Sequence, residues 1–300
     1  MSSAILAALI TALEHKKVIS YANVASIALL AYDYLLTFDL EVSFVWNTPW
    51  GVVTGLYYIT RYLPFIDIAV VLYQQFKPDL SPTACLRANE TFSWFFTSGL
   101  AIAEIILTLR TWAICGKGVP LSIILILLYI GLWVPAFINM NAFLKTIVFG
   151  SLPIPLHIPS VGCILLKGSS RLFINWVLIM CYDACMCALL AMRAWSIFRS
   201  GGKSRLLVIV YRDGIIYYIY LFGLSLLNVI LIFKLPADYL PLLSSPVRVI
   251  HALLTARVVL HAREQAQIQL RFPLGSEESA TYASEIRFQD NRQQQKTVGT

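Results

Sequence analysis

Charge is what this chain has least of. Asp, Glu, Lys and Arg make up 13% of the 300 residues, about half the ~25% of soluble domains, and that shortage excludes an ordinary water-soluble globule. Segments of roughly ten residues with alternating polarity are missing too, which excludes a transmembrane β-barrel. There is no G-x-S-x-G elbow, no phosphate-binding G-x-x-x-x-G-K-[ST] loop and no H-E-x-x-H pair. The four histidines, His15, His157, His251 and His261, are scattered, with no two on one apolar run that could ligate zinc or haem. No catalytic set, metal or cofactor is therefore expected. The first apolar run, Ala4 to Leu13, lacks a basic start and is followed by Glu14, His15, Lys16 and Lys17 where a cleaved signal peptide would carry small residues.

Apolar residues are what the chain does have, at 58% of the total with a mean hydropathy of +0.73. They fall in runs of about 20 residues, the length of helix that crosses a ~30 Å hydrocarbon core at 1.5 Å per residue. The fold class that follows is all-α, a polytopic membrane protein built as a seven-transmembrane-helix bundle. Its spans are expected at 18–39, 50–73, 92–113, 119–140, 171–195, 208–233 and 240–260. The net charge of +7 sits mostly beside these runs, so the partner it implies is the lipid bilayer, with no nucleic acid.

Orientation follows from short loops rich in Lys and Arg, which stay in the cytosol. Arg193, Arg199, Lys203, Arg205 and Arg212 follow the fifth span, and Arg257, Arg263 and Arg271 leave the seventh. The N-terminus is then outside and the C-terminus cytosolic, in the plasma membrane or the secretory pathway. Trp46, Trp50, Trp112 and Trp195 fall at inner span ends and Trp94 and Trp176 at outer ends, where amphipathic rings are favoured. In domain terms, residues 1–17 form a short extracellular N-terminus, 18–73 an N-terminal segment of two spans, 74–260 the other five, and 261–300 a cytosolic, largely disordered tail. Asp39 and Glu41 are placed in the first inner loop.

Seven ionisable residues lie inside the spans: Asp33, Arg61, Asp67, Glu104, Asp183, Arg248 and His251. Each needs a partner or a water-lined cavity, because a charge in hydrocarbon costs several kcal/mol. Counting at 1.5 Å per residue puts Arg61 and Glu104 roughly 18 Å and Asp33 roughly 22 Å from the outer span ends. Neighbouring helices then predict an Asp33–Arg61–Glu104 cluster. Asp67, about 120° around the helix from Arg61, faces elsewhere, with Arg248 at similar depth as its candidate partner. Asp183 and His251 also match in depth. The set fits either salt bridges that fix helix order or a polar pathway.

Cys85 and Cys163 are the two cysteines on the expected outer side, where disulfides persist, and their pairing is the economical reading. Cys181, Cys185 and Cys187 in the fifth span read as packing residues, and Cys115 sits at an inner edge. Asn89-Glu90-Thr91 is the one N-x-[ST] sequon, a possible N-glycosylation site.

The residues YDYLLTFDLEVSFVW from Tyr32 to Trp46 and RYLPFID from Arg61 to Asp67 carry a resemblance. They resemble a large family of fungal, chiefly basidiomycete, membrane proteins recognised by an N-terminal segment known as domain of unknown function 6533. The matching residues are Tyr32, Asp33, Tyr34, Leu35, Leu36, Asp39, Glu41 and Trp46, then Trp50, Arg61, Tyr62, Pro64 and Asp67. Where family members carry basic residues between the two halves, this chain has Asn47-Thr48-Pro49. The resemblance implies a seven-helix integral membrane protein and leaves its biochemistry open.

The layout also resembles that of seven-helix receptors. Arg110 in ILTLRTWAIC is not flanked by the acid and tyrosine of the rhodopsin-like group, however. The seventh span has no N-P-x-x-Y and no lysine for a retinal Schiff base. The expectation is a receptor-like bundle without catalysis, with an unknown ligand at the outer mouth and a cytosolic signalling partner at Arg199, Lys203 and Arg205. The alternatives are a transporter or channel using the intramembrane charges and, third, a lipid-modifying membrane enzyme.

Overall fold

The structure, a computed structural model, describes residues 3–77, 80–150, 163–169, 171–199, 205–235, 239 and 242–271. Among these, seven α-helices carry almost all of the chain: α1 (Ser3–Glu41), α2 (Val52–Phe76), α3 (Pro82–Ile114), α4 (Val119–Leu144), α5 (Leu172–Arg199), α6 (Arg205–Lys234) and α7 (Ser244–Arg271). A π-helical turn, Val42–Trp46, extends α1. Between α4 and α5 stands a two-stranded antiparallel hairpin, β1 (Val148–Gly150) and β2 (Ile164–Lys167), with Val148 opposite Lys167 and Gly150 opposite Ile164. Apolar runs that short carry little strand signal, and the hairpin was not expected from the sequence.

Among the described residues six helices are long and apolar enough to cross a membrane, and α7 is not one of them. Arg248, His251 and Arg257 within it lower its hydropathy, for a reason its contacts make plain below. The helices close a ring in chain order. Each packs against the next, α7 returns to α1, and α3 touches α2, α4, α5 and α7 from the centre. Large apolar side chains cover the outside, such as Leu35 on α1 and Ile126 and Ile138 on α4, as a lipid-facing surface requires.

Several boundaries differ from those read in the sequence. Helix α1 begins at Ser3, so most of the expected N-terminal segment 1–17 is helical and continuous with the first span. It also runs through Asp39 to Glu41. Its 39 residues span about 58 Å, nearly twice the hydrocarbon thickness. Helix α7 continues past residue 260 to Arg271, so the polar stretch HAREQAQIQLR prolongs the helix axis. The rest of the expected tail, from residue 272, lies outside the described residues, as do Pro236, Pro241 and Lys203.

The helix ends follow local chemistry. Ser81 caps α3 by accepting from the Ala84 amide at 3.2 Å, with Pro82 at the first helical position, where a missing N–H costs nothing. The α3–α4 turn uses Gly116 at φ +98° and Lys117 at φ +54°, a reversal that glycine makes possible. Cys85 in the first turns of α3 is disulfide-bonded to Cys163, just before β2. This bond ties the hairpin over one end of the bundle.

Candidate functional site

Apart from Asp183, the buried charges of the described residues lie in three groups, and each joins α7 to one of the first three helices. In the first, Arg61 on α2 is 3.2 Å from Asp33 through Nη1 and 3.2 Å from Glu41 through Nε. Its Nη2 donates to Thr37 Oγ1 and to the Tyr34 carbonyl at 3.3 Å, and its guanidinium lies 5.0 Å over the Tyr34 ring. Asp33, Thr37 and Glu41 recur every four residues along one face of α1, which is why one guanidinium reaches all three. Asp33 also takes Arg257 Nε from α7 at 2.7 Å, and Glu41 accepts from Tyr62 and Trp46 at 2.8 and 3.3 Å. Two carboxylates and two guanidiniums, that of Arg257 partly exposed, sum to zero charge, and the carboxylates' remaining lone pairs are mostly met, as buried ions require.

This geometry corrects the expected Asp33–Arg61–Glu104 cluster. Glu41, not Glu104, is the second carboxylate on Arg61. A charged residue near the end of an apolar run reads as a loop, yet here α1 stays helical and Glu41 is fully enclosed. In the second group Arg248 Nε donates to Asp67 at 2.7 Å, with both side chains almost wholly buried. Gly99 on α3 makes this possible. A Cβ there would lie 2.0 Å from Arg248 Nη2 and 2.5 Å from its Cζ.

In the third group His251 Nε2 and Glu104 Oε1 are 2.8 Å apart. His251 thus meets Glu104 rather than Asp183. Asp183 on α5 is wholly buried, and neither carboxylate oxygen has a hydrogen-bond partner among the described residues. Around it, Thr108 on α3 bonds Tyr182, and Thr111 meets Tyr218 of α6 at 3.0 Å. Farther along α7, Arg263 donates to the Phe44 carbonyl at 3.1 Å and to Thr48 and Thr54 at 2.9 and 2.7 Å. Arg257 and Arg263, read in the sequence as cytosolic charge at the exit of the seventh span, therefore both bond to other elements, Arg257 with its side chain still 44% exposed.

Sequence reasoning missed Thr37 and Gly99, had Tyr62 only as part of the family resemblance, placed Glu41 in a loop and read Arg257 and Arg263 as charge at the exit of the seventh span. The four-residue spacing Asp33, Thr37, Glu41 was the signal available for the first network. Nothing in the sequence marks Gly99.

At the hairpin end, above the ion pairs, the helices part around a cavity of about 220 Å³. Phe96, Leu100, Trp133, Met140, Trp176 and Ile179 form its apolar wall, and Asn23, Gln75, Asn89 and Asn175 its polar edge. Leu100 in its wall stands one helical turn before Glu104 on α3. Asn89 lies within α3 with Nδ2 enclosed, so the folded chain turns the sequon nitrogen inward. Cys181 and Cys185 are exposed on α5 and Cys115 is half-buried, all as free thiols. Arg199 is exposed at the end of α5, Arg205 opens α6, and Lys203 falls outside the described residues. Among the described residues no cluster of His, Cys, Asp and Glu is arranged to hold a metal ion.

Apolar helices with lipid-facing exteriors and neutralised internal charge define a helical integral membrane protein. Residues 21–66 match the model of a family of unknown function, DUF6533. The matched stretch contains Asp33, Thr37, Glu41 and Arg61, the whole Arg61 network apart from Arg257. No curated protein matches the chain.

Proposed function

We propose that this chain is a receptor-like membrane protein of seven spans, with α7 the seventh, and has no catalytic activity. Its N-terminus and hairpin face outward, in the plasma membrane or secretory pathway. A ligand is received at the hairpin-end mouth, and a cytosolic partner meets the loop carrying Arg199, Lys203 and Arg205.

One observation carries this reading: the intramembrane charges close on one another. Arg61 is held by Asp33 and Glu41, Arg248 by Asp67 and His251 by Glu104, an arrangement suited to fixing helix order. The cavity lies to one side of this closed layer. A transporter would need those groups to exchange partners along a path. Asp183, buried without a hydrogen-bond partner among the described residues, favours that second reading, as do the unpartnered Asp67 Oδ1, Glu104 Oε2, His251 Nδ1 and Arg248 Nη1 and Nη2.

The test sets the two side by side. Reconstituted vesicles should stay tight to protons and small ions, and Arg61→Met should reduce assembly. Replacing Arg199, Lys203 and Arg205 should weaken cross-linking to a cytosolic protein while membrane insertion is unchanged. Measurable flux, lost in Arg61→Met with assembly intact, would install the transporter instead.

A further inference from the structure

We propose that the hairpin-end cavity binds a small amphipathic carboxylate, its acid head against Gln75 and Asn89 and its apolar body against Phe96, Trp133 and Trp176. The proposal deepens the reading of this cavity as the ligand site and rests on it.

The polar edge is incomplete as it stands. Asn23 Nδ2 donates to Gln75 Oε1 at 3.0 Å, which engages one polar atom of each amide. Their other atoms, Asn23 Oδ1 and Gln75 Nε2, are enclosed without a partner among the described residues, as is Asn89 Nδ2. Asn23 itself is only 6% exposed. Buried amide atoms are normally satisfied, and three unpartnered ones on residues that line one cavity call for a polar group from outside the chain, met by a turn of these side chains toward the cavity. Turning both bonded amides over would leave the same count, one free donor and one free acceptor from the pair.

The sign of the ligand's head follows from what surrounds it. Gln75 Nε2 and Asn89 Nδ2 are donors. Lys16 and His15 line the same cavity, and no Asp or Glu does so among its described lining residues. A cationic head would be buried there without a counter-charge, which is strongly unfavourable. A carboxylate accepts from both amides within the field of Lys16. The remaining wall is aromatic and aliphatic, including Phe96, Trp133 and Trp176, so the rest of the molecule is apolar. The volume of about 220 Å³ lies below the ~300–1,000 Å³ of pockets for drug-sized ligands. This favours a medium-chain or single-ring acid over a long-chain lipid.

The full chain in zwitterionic nanodiscs would be titrated with decanoate, decanol and decyltrimethylammonium, following tryptophan fluorescence with empty discs subtracted. Decanoate should saturate, decanol should bind about tenfold more weakly, and decyltrimethylammonium more weakly still. Gln75→Leu and Asn89→Leu should each weaken decanoate about tenfold and leave decanol unchanged. A diazirine-bearing decanoate on the unaltered protein should label peptides containing Phe96, Trp133 or Trp176. If label enters the cavity but the three heads bind alike, or the amide variants keep full decanoate affinity, the carboxylate assignment is overturned and the ligand-site reading stands. If label falls only on the lipid-facing side of α4, at residues such as Ile138, both are overturned.

Discussion

Adding one methyl group at Gly99 should disturb an ion pair on two other helices. In Gly99→Ala the new Cβ would meet Arg248 Nη2 at 2.0 Å and Cζ at 2.5 Å, with Leu63 Cδ2 at 3.0 Å. An arginine tip at a surface would swing aside at little cost. Here Arg248 is 1% exposed, and its Nε, bonded directly to that Cζ, is fixed to Asp67 at 2.7 Å. The guanidinium cannot withdraw by an ångström or more without lengthening that bond. Overpacking of this kind costs about 1–3 kcal/mol, and full loss of the buried pair about 3–5 kcal/mol. Taking the lower range, the folded population relative to the unfolded should fall roughly 5- to 150-fold. The assay is a double-mutant cycle on detergent-solubilised protein, read by thermal or denaturant unfolding. Arg248→Met removes the group that clashes, so Gly99→Ala in that background should cost less than about 0.5 kcal/mol. Equal cost in both backgrounds would refute the reasoning and place the defect in α3 itself.

Other perturbations give contrasting signs. Arg61→Met should destabilise by about 3–5 kcal/mol by stranding Asp33 and Glu41, and Glu41→Gln added to it should restore part of that in the same unfolding assay. Asp183→Leu should be neutral or stabilising by about 1–3 kcal/mol, because it removes a buried carboxylate lacking hydrogen bonds. Glu104→Ala should destabilise, since His251 loses its partner, and matching losses at both positions would contradict the distinction drawn between them. Reduction should lower the unfolding midpoint of the native chain by an amount matching about 2–4 kcal/mol for the Cys85–Cys163 bond. Cys85→Ser should start from that lower value and be insensitive to reductant.

The helices were legible because a bilayer imposes one length and one polarity on whatever crosses it, and the apolar runs obey both. Asp67 and Arg248 could be matched by depth alone, since each has a single counter-charge at its level. Arg61 could not be placed correctly by the same arithmetic. The count stopped α1 at residue 39, where charge begins, and so discarded Glu41, the carboxylate that outcompetes Glu104. Hydropathy registers a charge and is blind to its neutralisation, so helices with paired charges look shorter than they are. Gly99 was invisible for a different reason. Its role is the absence of an atom where a side chain from another helix arrives.

Helix α7 presents Arg248, His251 and Arg257 to Asp67, Glu104 and Asp33, and Arg263 to the turn after α1. By itself it is too polar to rest in lipid, and it emerges from the ribosome after all its partners. On the proposed seven-span reading, its admission to the membrane therefore doubles as an inspection of the first three helices. On that reading a lesion in any of their acidic residues would surface far along the chain, as α7 left outside.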